Sequence, residues 1–210
     1  MSVIAIIPAY NEEKTIGGVL QTLKNVDLIT KIIVVSDGST DNTVKIAQKH
    51  NVDVIEFKDN KGKGAALKAG IERAEGKVIL FLDADLVGLN EEHVCKLVLP
   101  VLNGEADMTI GIFDKGRITT DLAQKIAPFL SGQRAVDKRI LEEISQLEIT
   151  RYGVEMALTK YVENSDIRVE KVILEDLTHI MKEEKLGLVK GFTERMRMYM
   201  DIIKCLIKLS

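Results

Sequence analysis

The stretch VIAIIPAYNE, residues 3–12, joins an apolar run to a proline and a polar turn. The β-branched run from Val3 to Ile7 is typical of a strand buried on both faces of a parallel sheet, and Pro8 ends it. The following segment predicts a helix, because apolar residues recur at helical spacing at Ile16, Val19, Leu20 and Leu23. A buried strand followed by a helix is the first part of an alternating α/β pattern.

The same alternation continues along the first half of the chain. Further buried strands are predicted over residues 31–35, 52–57 and 77–82, with helices around residues 44–47 and over 65–74. This order predicts an α/β fold with a mostly parallel central sheet flanked by crossover helices. In the less regular second half, strands are predicted over 106–113 and 166–174, and helices over 120–127, 139–145, 152–162 and 192–209.

The chain has no internal repeat and no Pro/Gly/Ser-rich linker, so we expect one main domain with a helical extension. That domain is predicted over residues 1–190, with a regular half over 1–90 and a less regular half over 91–190. Residues 191–210 are predicted to form a C-terminal amphipathic helix.

Composition excludes several classes of protein. The formal net charge of the 210 residues is -3, which does not favour nucleic-acid binding. Cys95 and Cys205 lie far apart and lack neighbouring ligands, so neither a disulfide framework nor a zinc site is expected. The N-terminal stretch lacks the basic region of a signal peptide, and no apolar window reaches the roughly 18 residues of a membrane span. A cytoplasmic protein is therefore expected.

Three polar loops come directly after predicted strands, at residues 8–12, 36–41 and 83–85. Ligands bind beyond the carboxyl ends of the strands in sheets of this kind, so we expect the loops to form one site. Each loop alone is a common turn or cap. Their occurrence in this order indicates a site for a nucleotide that carries a base, a ribose and a diphosphate.

The acidic residues of these loops suit the parts of such a nucleotide. Asp37 offers a planar acceptor to the base, while Asp83 or Glu12 can face the ribose hydroxyls. A diphosphate needs Mg²⁺ or Mn²⁺ held by oxygen ligands, and Asp85 is the favoured ligand. Between the second and third loops, the Gly-rich segment 60–64 places Lys63 before a predicted helix, where it can neutralise a phosphate.

Three segments closely resemble family 2 glycosyltransferases of the GT-A fold: IIPAYNEEKTIGGVL (6–20), VVSDGSTDNT (34–43) and LFLDADL (80–86). The resemblance covers at least residues 3–90, and the family often carries a GKGxAL element like residues 62–67. It implies a hexosyltransferase that uses a nucleotide sugar and a divalent metal, with a nucleotide-sugar-binding half over residues 1–90 and an acceptor half over 91–190. The implied donor-binding set is Pro8, Ala9, Tyr10, Glu12, Asp37, Ser39, Lys63, Asp83 and Ala84.

The segments KGRIT (115–119) and PFLSGQR (128–134) resemble the acceptor region of the glucosyl-3-phosphoglycerate synthases, which are retaining enzymes. This resemblance implies acceptor contacts at Gly116, Arg117 and Thr119. The same region resembles polyprenyl-phosphate sugar transferases, whose SGxR segment lies near a lipid phosphate. In this chain that segment is residues 131–134, and the resemblance implies acceptor contacts at Gly132 and Arg134. Both alternatives require an anionic acceptor, to which a guanidinium is well suited.

Two further residues follow from the resemblance. Glu155 matches a carboxylate near the reacting centre, where it would act as a base in an inverting enzyme or orient the acceptor in a retaining one. Asp85 is the second catalytic candidate. The phosphoglycerate-linked synthases complete their metal site with a downstream histidine, which implies His179 as a metal ligand beside Asp85.

The last predicted helix carries an apolar stripe with five basic and two acidic residues between Lys190 and Ser210. Packing on the domain, on a second copy in a homodimer, or on an anionic lipid surface are the alternatives. Other classes stay open as well. A sugar-nucleotide nucleotidyltransferase would need a Gly-rich triphosphate loop at the start, and a non-catalytic nucleotide-sugar-binding protein would leave the combination of Asp83, Asp85, Lys63 and His179 unexplained.

Overall fold

The computed structural model describes residues 2–113, 131–144 and 164–179, together with residues 154, 157–158 and 161–162. The strands are β1 (Val3–Ala9), β2 (Ile29–Ser36), β3 (Asp53–Glu56), β4 (Val78–Phe81), β5 (Leu86–Val87), β6 (Met108–Phe113), β7 (Arg134–Asp137), β8 (Val169–Leu174) and β9 (Thr178–His179). The helices are α1 (Ile16–Lys24), α2 (Thr43–Lys49), α3 (Lys63–Arg73), α4 (Glu91–Leu102) and α5 (Lys138–Ile144).

Seven strands form the central sheet in the order β3-β2-β1-β4-β7-β6-β8, and β5 and β9 form a separate two-stranded sheet. Strands β1 to β4 are mutually parallel where they pair, and β6 is parallel to β8. Only β7 among the paired strands of the central sheet runs in the opposite direction, because it is antiparallel to both β4 and β6. The predicted α/β fold with a mostly parallel sheet is confirmed.

The sheet separates two apolar cores, since alternate residues of each strand point to opposite faces. On one face, Val3, Ala5 and Ile7 of β1 pack in a core with apolar residues of α1, α2 and α4. On the other face, Ile4 and Ile6 pack with α3, α5, Val154 and Leu158. Helices on both faces explain why the strands read as continuous apolar runs.

The structure adds four elements that the sequence patterns did not predict: helix α4, strand β7 and the two-residue strands β5 and β9. Helix α4 begins after Asn90, whose side chain accepts a hydrogen bond from His93 N as an N-cap. Its internal Pro100 breaks the expected helical pattern, although the apolar positions face the core. Strand β7 is only four residues long and begins at the last residue of the SGQR segment. Its first and last residues, Arg134 and Asp137, are charged, so it lacks the apolar run that is typical of an interior strand.

The chain divides into two compact units, Met1–Thr178 and His179–Ser210. Apart from the backbone of His179, the second unit lies outside the described residues, as do the predicted helices at 120–127 and 192–209. The predicted boundary at residue 190 therefore stays a prediction. Within the described part of the chain, no helix is both long and apolar enough to cross a membrane.

Candidate active site

The loops predicted to form a site all lie at one edge of the sheet. Because β1, β2, β3 and β4 are parallel, the segments that follow them leave the sheet on the same side. The antiparallel β7 begins at this side, since Phe81 at the end of β4 pairs with Arg134 at its start. The chain order reverses between β1 and β4, which is where a ligand crevice opens in doubly wound sheets.

The loop after β1 and the loop after β2 are joined by reciprocal hydrogen bonds. The backbone N–H of Asn11 donates to Ser39 Oγ at 3.1 Å, and the N–H of Thr40 donates to Asn11 Oδ1 at 2.8 Å. Glu13 Oε2 accepts from both the backbone and the side-chain amide of Asn42, at 3.0 and 2.8 Å. Many polar residues of the family-like segments therefore hold the two loops against each other.

Thr43 lies at the centre of this junction with a fully buried side chain (0% exposed). Its hydroxyl accepts from the N–H of Glu12 at 2.8 Å and donates to Asp41 Oδ1 at 2.5 Å. Partial burial opposes ionisation of Asp41, but hydrogen bonds from Thr43 and from the N–H of Glu13 outweigh it, so the pKa of Asp41 lies below its ordinary value. The charged form of Asp41 is thus part of the folded loop.

Asp37 anchors a third loop. Its side chain is buried, and its two carboxylate oxygens accept from the N–H groups of Lys61 and Gly62 at 2.7 and 2.9 Å. Gly38, with a φ of +73°, packs directly on the same loop, where a Cβ would lie 2.7 Å from the backbone nitrogen of Asn60. Because a carboxylate oxygen has two lone pairs, these bonds are compatible with the predicted contact between Asp37 and a base.

Four residues meet where α3, β4 and β7 begin or end. Lys63 Nζ lies 2.6 Å from Asp83 Oδ1, and Gln133 Nε2 donates to Asp83 Oδ2 at 2.9 Å. Gly132 packs on this ion pair, since a Cβ there would lie 2.7 Å from both Lys63 Nζ and Asp83 Oδ2. The structure therefore brings Lys63 and Asp83 of the predicted donor set into contact with the predicted acceptor residue Gly132.

The predicted metal ligands lie in the D-x-D segment and at the end of β9. Asp85 is partly buried two residues after Asp83. The backbone of His179 is described, but its side chain lies outside the described residues. Among the described residues, no group of three His, Cys, Asp or Glu side chains is arranged around a metal position. Mg²⁺ in phosphate sites is commonly held by one or two carboxylates plus substrate oxygens, and Asp85 fits that arrangement.

The other predicted donor residues differ in exposure. Ala9 and Ala84 have side chains in the apolar core, and the carbonyl of Ala9 accepts from the N–H of Asp37 at 2.8 Å. The prediction that Pro8 ends the first strand is wrong, because Pro8 is paired with Val35 and β1 continues to Ala9. Pro8 is partly buried, and Tyr10 beyond the strand is 49% exposed. Of these residues, Tyr10 offers the largest surface to a ligand.

The predicted acceptor residues are only partly described. Arg134 is 1% exposed, and its Nε donates to the carbonyl of Ser131 at 2.8 Å, so the described contact of this guanidinium is with the turn before β7. Its role as an acceptor contact stays a prediction. Gly116, Arg117, Thr119 and the catalytic candidate Glu155 lie outside the described residues.

Sequence reasoning missed Gln133 and Thr43 as parts of the site. Both lie inside quoted segments, SGQR and VVSDGSTDNT, beside charged residues that carry the stronger signal. For Thr43, the available signal was an uncharged polar residue at the start of a predicted helix, where buried hydrogen bonds are needed. Gln133 had no such signal, because β7 was not predicted.

A mostly parallel α/β sheet with acidic loops at its switch point is an architecture typical of nucleotide-binding domains. The chain belongs to glycosyl transferase family 2, whose family model matches residues 4–161. The predicted family and GT-A fold are thereby confirmed, and the family model agrees with the predicted enzyme class.

Two sequence relatives and one solved enzyme illustrate the similarity. An uncharacterized protein of Methanocaldococcus jannaschii is 39% identical over 136 residues, or 60% of this chain and 54% of that protein. The 4,4'-diaponeurosporenoate glycosyltransferase of Staphylococcus aureus is 38% identical over 102 residues, or 46% of this chain and 27% of the enzyme. The chain thus spans about half the length of the Methanocaldococcus protein and about a quarter of the length of the Staphylococcus enzyme.

The solved enzyme is the glucosyl-3-phosphoglycerate synthase of Mycobacterium tuberculosis. Its complex with Mn²⁺, UDP-glucose and phosphoglyceric acid has a TM-score of 0.72 and 28% identity, and the match covers 85% of this chain and 71% of the synthase. Its complex with Mg²⁺ and UDP has a TM-score of 0.72 and 25% identity, covering 92% of this chain and 79% of the synthase.

Proposed function

We propose that this protein is a metal-dependent glycosyltransferase that moves a hexose from a UDP- or GDP-sugar to an acceptor bearing a carboxylate or phosphate. The observation that carries the proposal is the meeting of Lys63, Asp83 and the SGQR turn where α3 begins, β4 ends and β7 begins. This arrangement places an ammonium and a carboxylate from the donor half against the segment that sequence assigns to the acceptor.

The donor half supplies three different contacts. Asp37 would accept from the base while its backbone partners fix the loop, and Asp83 would accept from the ribose hydroxyls. The Lys63 ammonium has three donors, so it can keep its contact with Asp83 and also bind a phosphate oxygen. The Mn²⁺ and UDP-glucose in the related synthase complex support a uridine donor.

A divalent ion would be held by Asp85, with His179 as the second protein ligand and diphosphate oxygens completing the shell. Its chemical contribution would be to stabilise negative charge on the departing diphosphate. The related synthase was crystallised with either Mn²⁺ or Mg²⁺, which supports both ions as candidates.

Support for an acidic acceptor comes from the names of two relatives. Phosphoglyceric acid, bound in the synthase, and 4,4'-diaponeurosporenoate, named for the Staphylococcus enzyme, are both carboxylates. Arg117 and Thr119 would bind the acceptor's anionic groups, and Gly132 and Arg134 would form or support the adjoining wall. A soluble phosphoglycerate-like acceptor is the main proposal.

In the reaction, an acceptor oxygen bonds to the anomeric carbon as the bond from that carbon to the diphosphate breaks. In the proposed retaining reaction, a hydroxyl acceptor passes its proton to the diphosphate oxygen that leaves the anomeric carbon, whereas an ionised acceptor oxygen has no proton to transfer. We propose a retaining outcome, in which Glu155 orients the acceptor or stabilises positive charge on the sugar. An inverting outcome would instead give Glu155 the role of general base.

The test is a nucleotide-release assay. The protein is incubated with Mn²⁺ or Mg²⁺, with UDP-, GDP- and ADP-sugars in turn, and with 3-phosphoglycerate or a polyprenyl phosphate. We expect metal-dependent release that requires 3-phosphoglycerate, and NMR of the product should show the donor's anomeric configuration. Absence of release with every pair would refute the proposed function.

Two variants test the metal assignment. Asp85→Ala and His179→Ala should each lower turnover by at least about 100-fold, because charge stabilisation by a single group commonly contributes that much. Asp27→Ala is the matched control, since Asp27 is exposed before β2 at the opposite edge of the sheet and should leave turnover unchanged. Metal-dependent activity that survives either site substitution would overturn that ligand.

The second candidate is a polyprenyl-phosphate glycosyltransferase at a membrane surface. It is favoured by the basic, apolar-striped segment 190–210, which carries five basic and two acidic residues. Release that requires the polyprenyl phosphate, and not 3-phosphoglycerate, would select it. Peripheral membrane contact, homodimer formation and a cytoplasmic location stay predictions.

A further inference from the structure

We propose that Gln133 is a positioning residue that fixes the carboxylate of Asp83 from the side opposite Lys63. The inference rests on the proposed role of Asp83 in the donor site and extends it, because Gln133 belongs to the segment assigned to the acceptor. Through this contact, the SGQR turn sets the orientation of the donor carboxylate.

The amide of Gln133 is held in one orientation. Its side chain is 1% exposed, and its Nε2 lies 2.9 Å from Asp83 Oδ2. A carboxylate only accepts hydrogen bonds, so the amide must present its nitrogen to Asp83. Its oxygen then faces the hydroxyl of Ser131 at 3.0 Å. Asp83 is bound on both oxygens, to Lys63 through Oδ1 and to Gln133 through Oδ2.

The turn that carries Gln133 is itself anchored to the sheet. The carbonyl of Gln133 accepts from the N–H of Gly111 at 2.8 Å, and the hydroxyl of Ser131 lies 2.6 Å from the carbonyl of Gly111. Gly132 leaves no room for movement toward the ion pair, since even a Cβ would lie within 2.8 Å of three of its atoms. The amide therefore reaches Asp83 from a fixed support.

A fixed carboxylate matters for binding a hydroxyl-bearing ligand. A side chain that is already held in its binding orientation loses less conformational entropy when the ligand arrives. Each oxygen of Asp83 can accept more than one hydrogen bond, so bonds to Gln133 and Lys63 do not exclude a ribose hydroxyl. Loss of the Gln133 amide should therefore weaken nucleotide binding through Asp83.

The experiment measures UDP affinity by calorimetry with Mn²⁺ for the full chain and its variants. Gln133→Ala should weaken UDP binding about tenfold, the effect of losing a hydrogen bond to a charged group. Gln133→Glu keeps the shape but opposes a carboxylate to Asp83, so it should bind UDP more weakly than Gln133→Ala. A role limited to filling space would give the reverse order. Gln48→Ala, at an exposed position of α2, is the control and should match the wild type.

A double-mutant cycle with Asp83→Ala tests whether Gln133 acts through Asp83. That variant removes both carboxylate oxygens, so the Gln133 amide has no acceptor at position 83. In that background, Gln133→Ala should change UDP affinity by less than about twofold, within the usual additivity error. Effects that multiply would overturn the proposal, as would a Gln133→Glu variant that binds UDP like the wild type.

The same four proteins unfolded in urea give a second cycle that needs no nucleotide. The shift in midpoint for the double variant should be smaller than the two single shifts together. If the wild type bound no UDP, GDP or ADP, the proposed function would fail. The urea cycle would then still decide whether Gln133 and Asp83 interact, and additive midpoint shifts would refute that contact.

Discussion

Thr43→Val tests the junction between the loops after β1 and β2. Valine has the shape and β-branching of threonine, so the substitution removes the hydroxyl and little else. In the wild type this buried hydroxyl accepts from the N–H of Glu12 and donates to Asp41. The variant leaves a partly buried N–H without that acceptor and removes a charge-assisted hydrogen bond.

The expected loss of stability follows from those two contacts. An unsatisfied buried donor costs about 1–3 kcal/mol, and a hydrogen bond to a charged group contributes about 1.5–3 kcal/mol. Thr43 is buried, but its partners Glu12 and Asp41 are partly exposed, and the two energies overlap because both belong to the same hydroxyl. We therefore expect the free energy of unfolding to fall by about 2–3 kcal/mol at pH 7. In a domain of this size that corresponds to a melting temperature lower by about 5–10 °C.

The stabilising effect of the contact between Thr43 and Asp41 depends on pH, because it requires the charged form of Asp41. The pKa of Asp41 is lowered in the folded protein, so its contribution to stability is present above the ordinary value of 3.8 and is lost as the pH falls through the lower folded value. The free energies of unfolding of Thr43→Val and the wild type should therefore become more similar below about pH 4. Urea unfolding from pH 7 to pH 3 measures this difference directly.

The matched control is Thr40→Val in the same loop. Thr40 is exposed, and its hydroxyl makes one longer contact of 3.4 Å with Asn11 Oδ1. We expect a change of less than about 0.5 kcal/mol there. An equal loss in both variants, or a Thr43→Val effect that is constant with pH, would refute the assignment of the loss to the Glu12 and Asp41 contacts.

Three further substitutions test other parts of the fold and site. Gly38→Ala should lower the free energy of unfolding by about 1–3 kcal/mol, because its positive φ and the backbone of Asn60 both oppose a Cβ; an unchanged urea midpoint would contradict this. Arg168→Gln removes the guanidinium hydrogen bonds that hold the pKa of Asp107 below its ordinary value. That contribution is present above pH 3.8 and is lost as the pH falls through the lower folded pKa of Asp107. The variant should therefore have a lower urea midpoint than the wild type at pH 7 and a midpoint closer to the wild type at pH 3. Asp37→Asn sets an amide nitrogen against the backbone N–H of Lys61 or Gly62, which both donate to Asp37 in the wild type. The variant should bind UDP at least about tenfold more weakly by calorimetry, and an affinity equal to that of the wild type would exclude Asp37 from the donor site.

Much of the first half of the fold could be predicted because β1, β2 and β4 each contain a continuous apolar run with a turn after it. Strand β1 is predicted from its β-branched run, and the edge where the loops gather follows from the parallel order. Strand β7 could not be predicted in the same way. Its four residues include Arg134 and Asp137, and its burial depends on neighbours that are distant in sequence.

The candidate site, like the fold, contains some features that the sequence predicts and others that it does not. The acidic residues of the three loops were predicted because carboxylates after strands have few structural uses other than turns and ligands. The contact of Asp83 with Gln133 was not predicted, because it joins positions 50 residues apart across two strands. Similarly, the carboxylate of Asp37 was assigned to a base, and the structure adds the backbone of a third loop as its partner.

The reversed central strand has a consequence for the order in which the protein folds. Strands β1 to β4 form a run of parallel neighbours that can associate before the rest of the sheet, whereas β7 must insert between β4 and β6 from a later part of the chain. Contacts that close long loops form slowly, so insertion of β7 is expected late in folding. Synthesis from the N-terminus favours the same sequence of events. A nascent chain would then complete its nucleotide loops first and acquire the Gln133 support for Asp83 only when the last central strand enters the sheet.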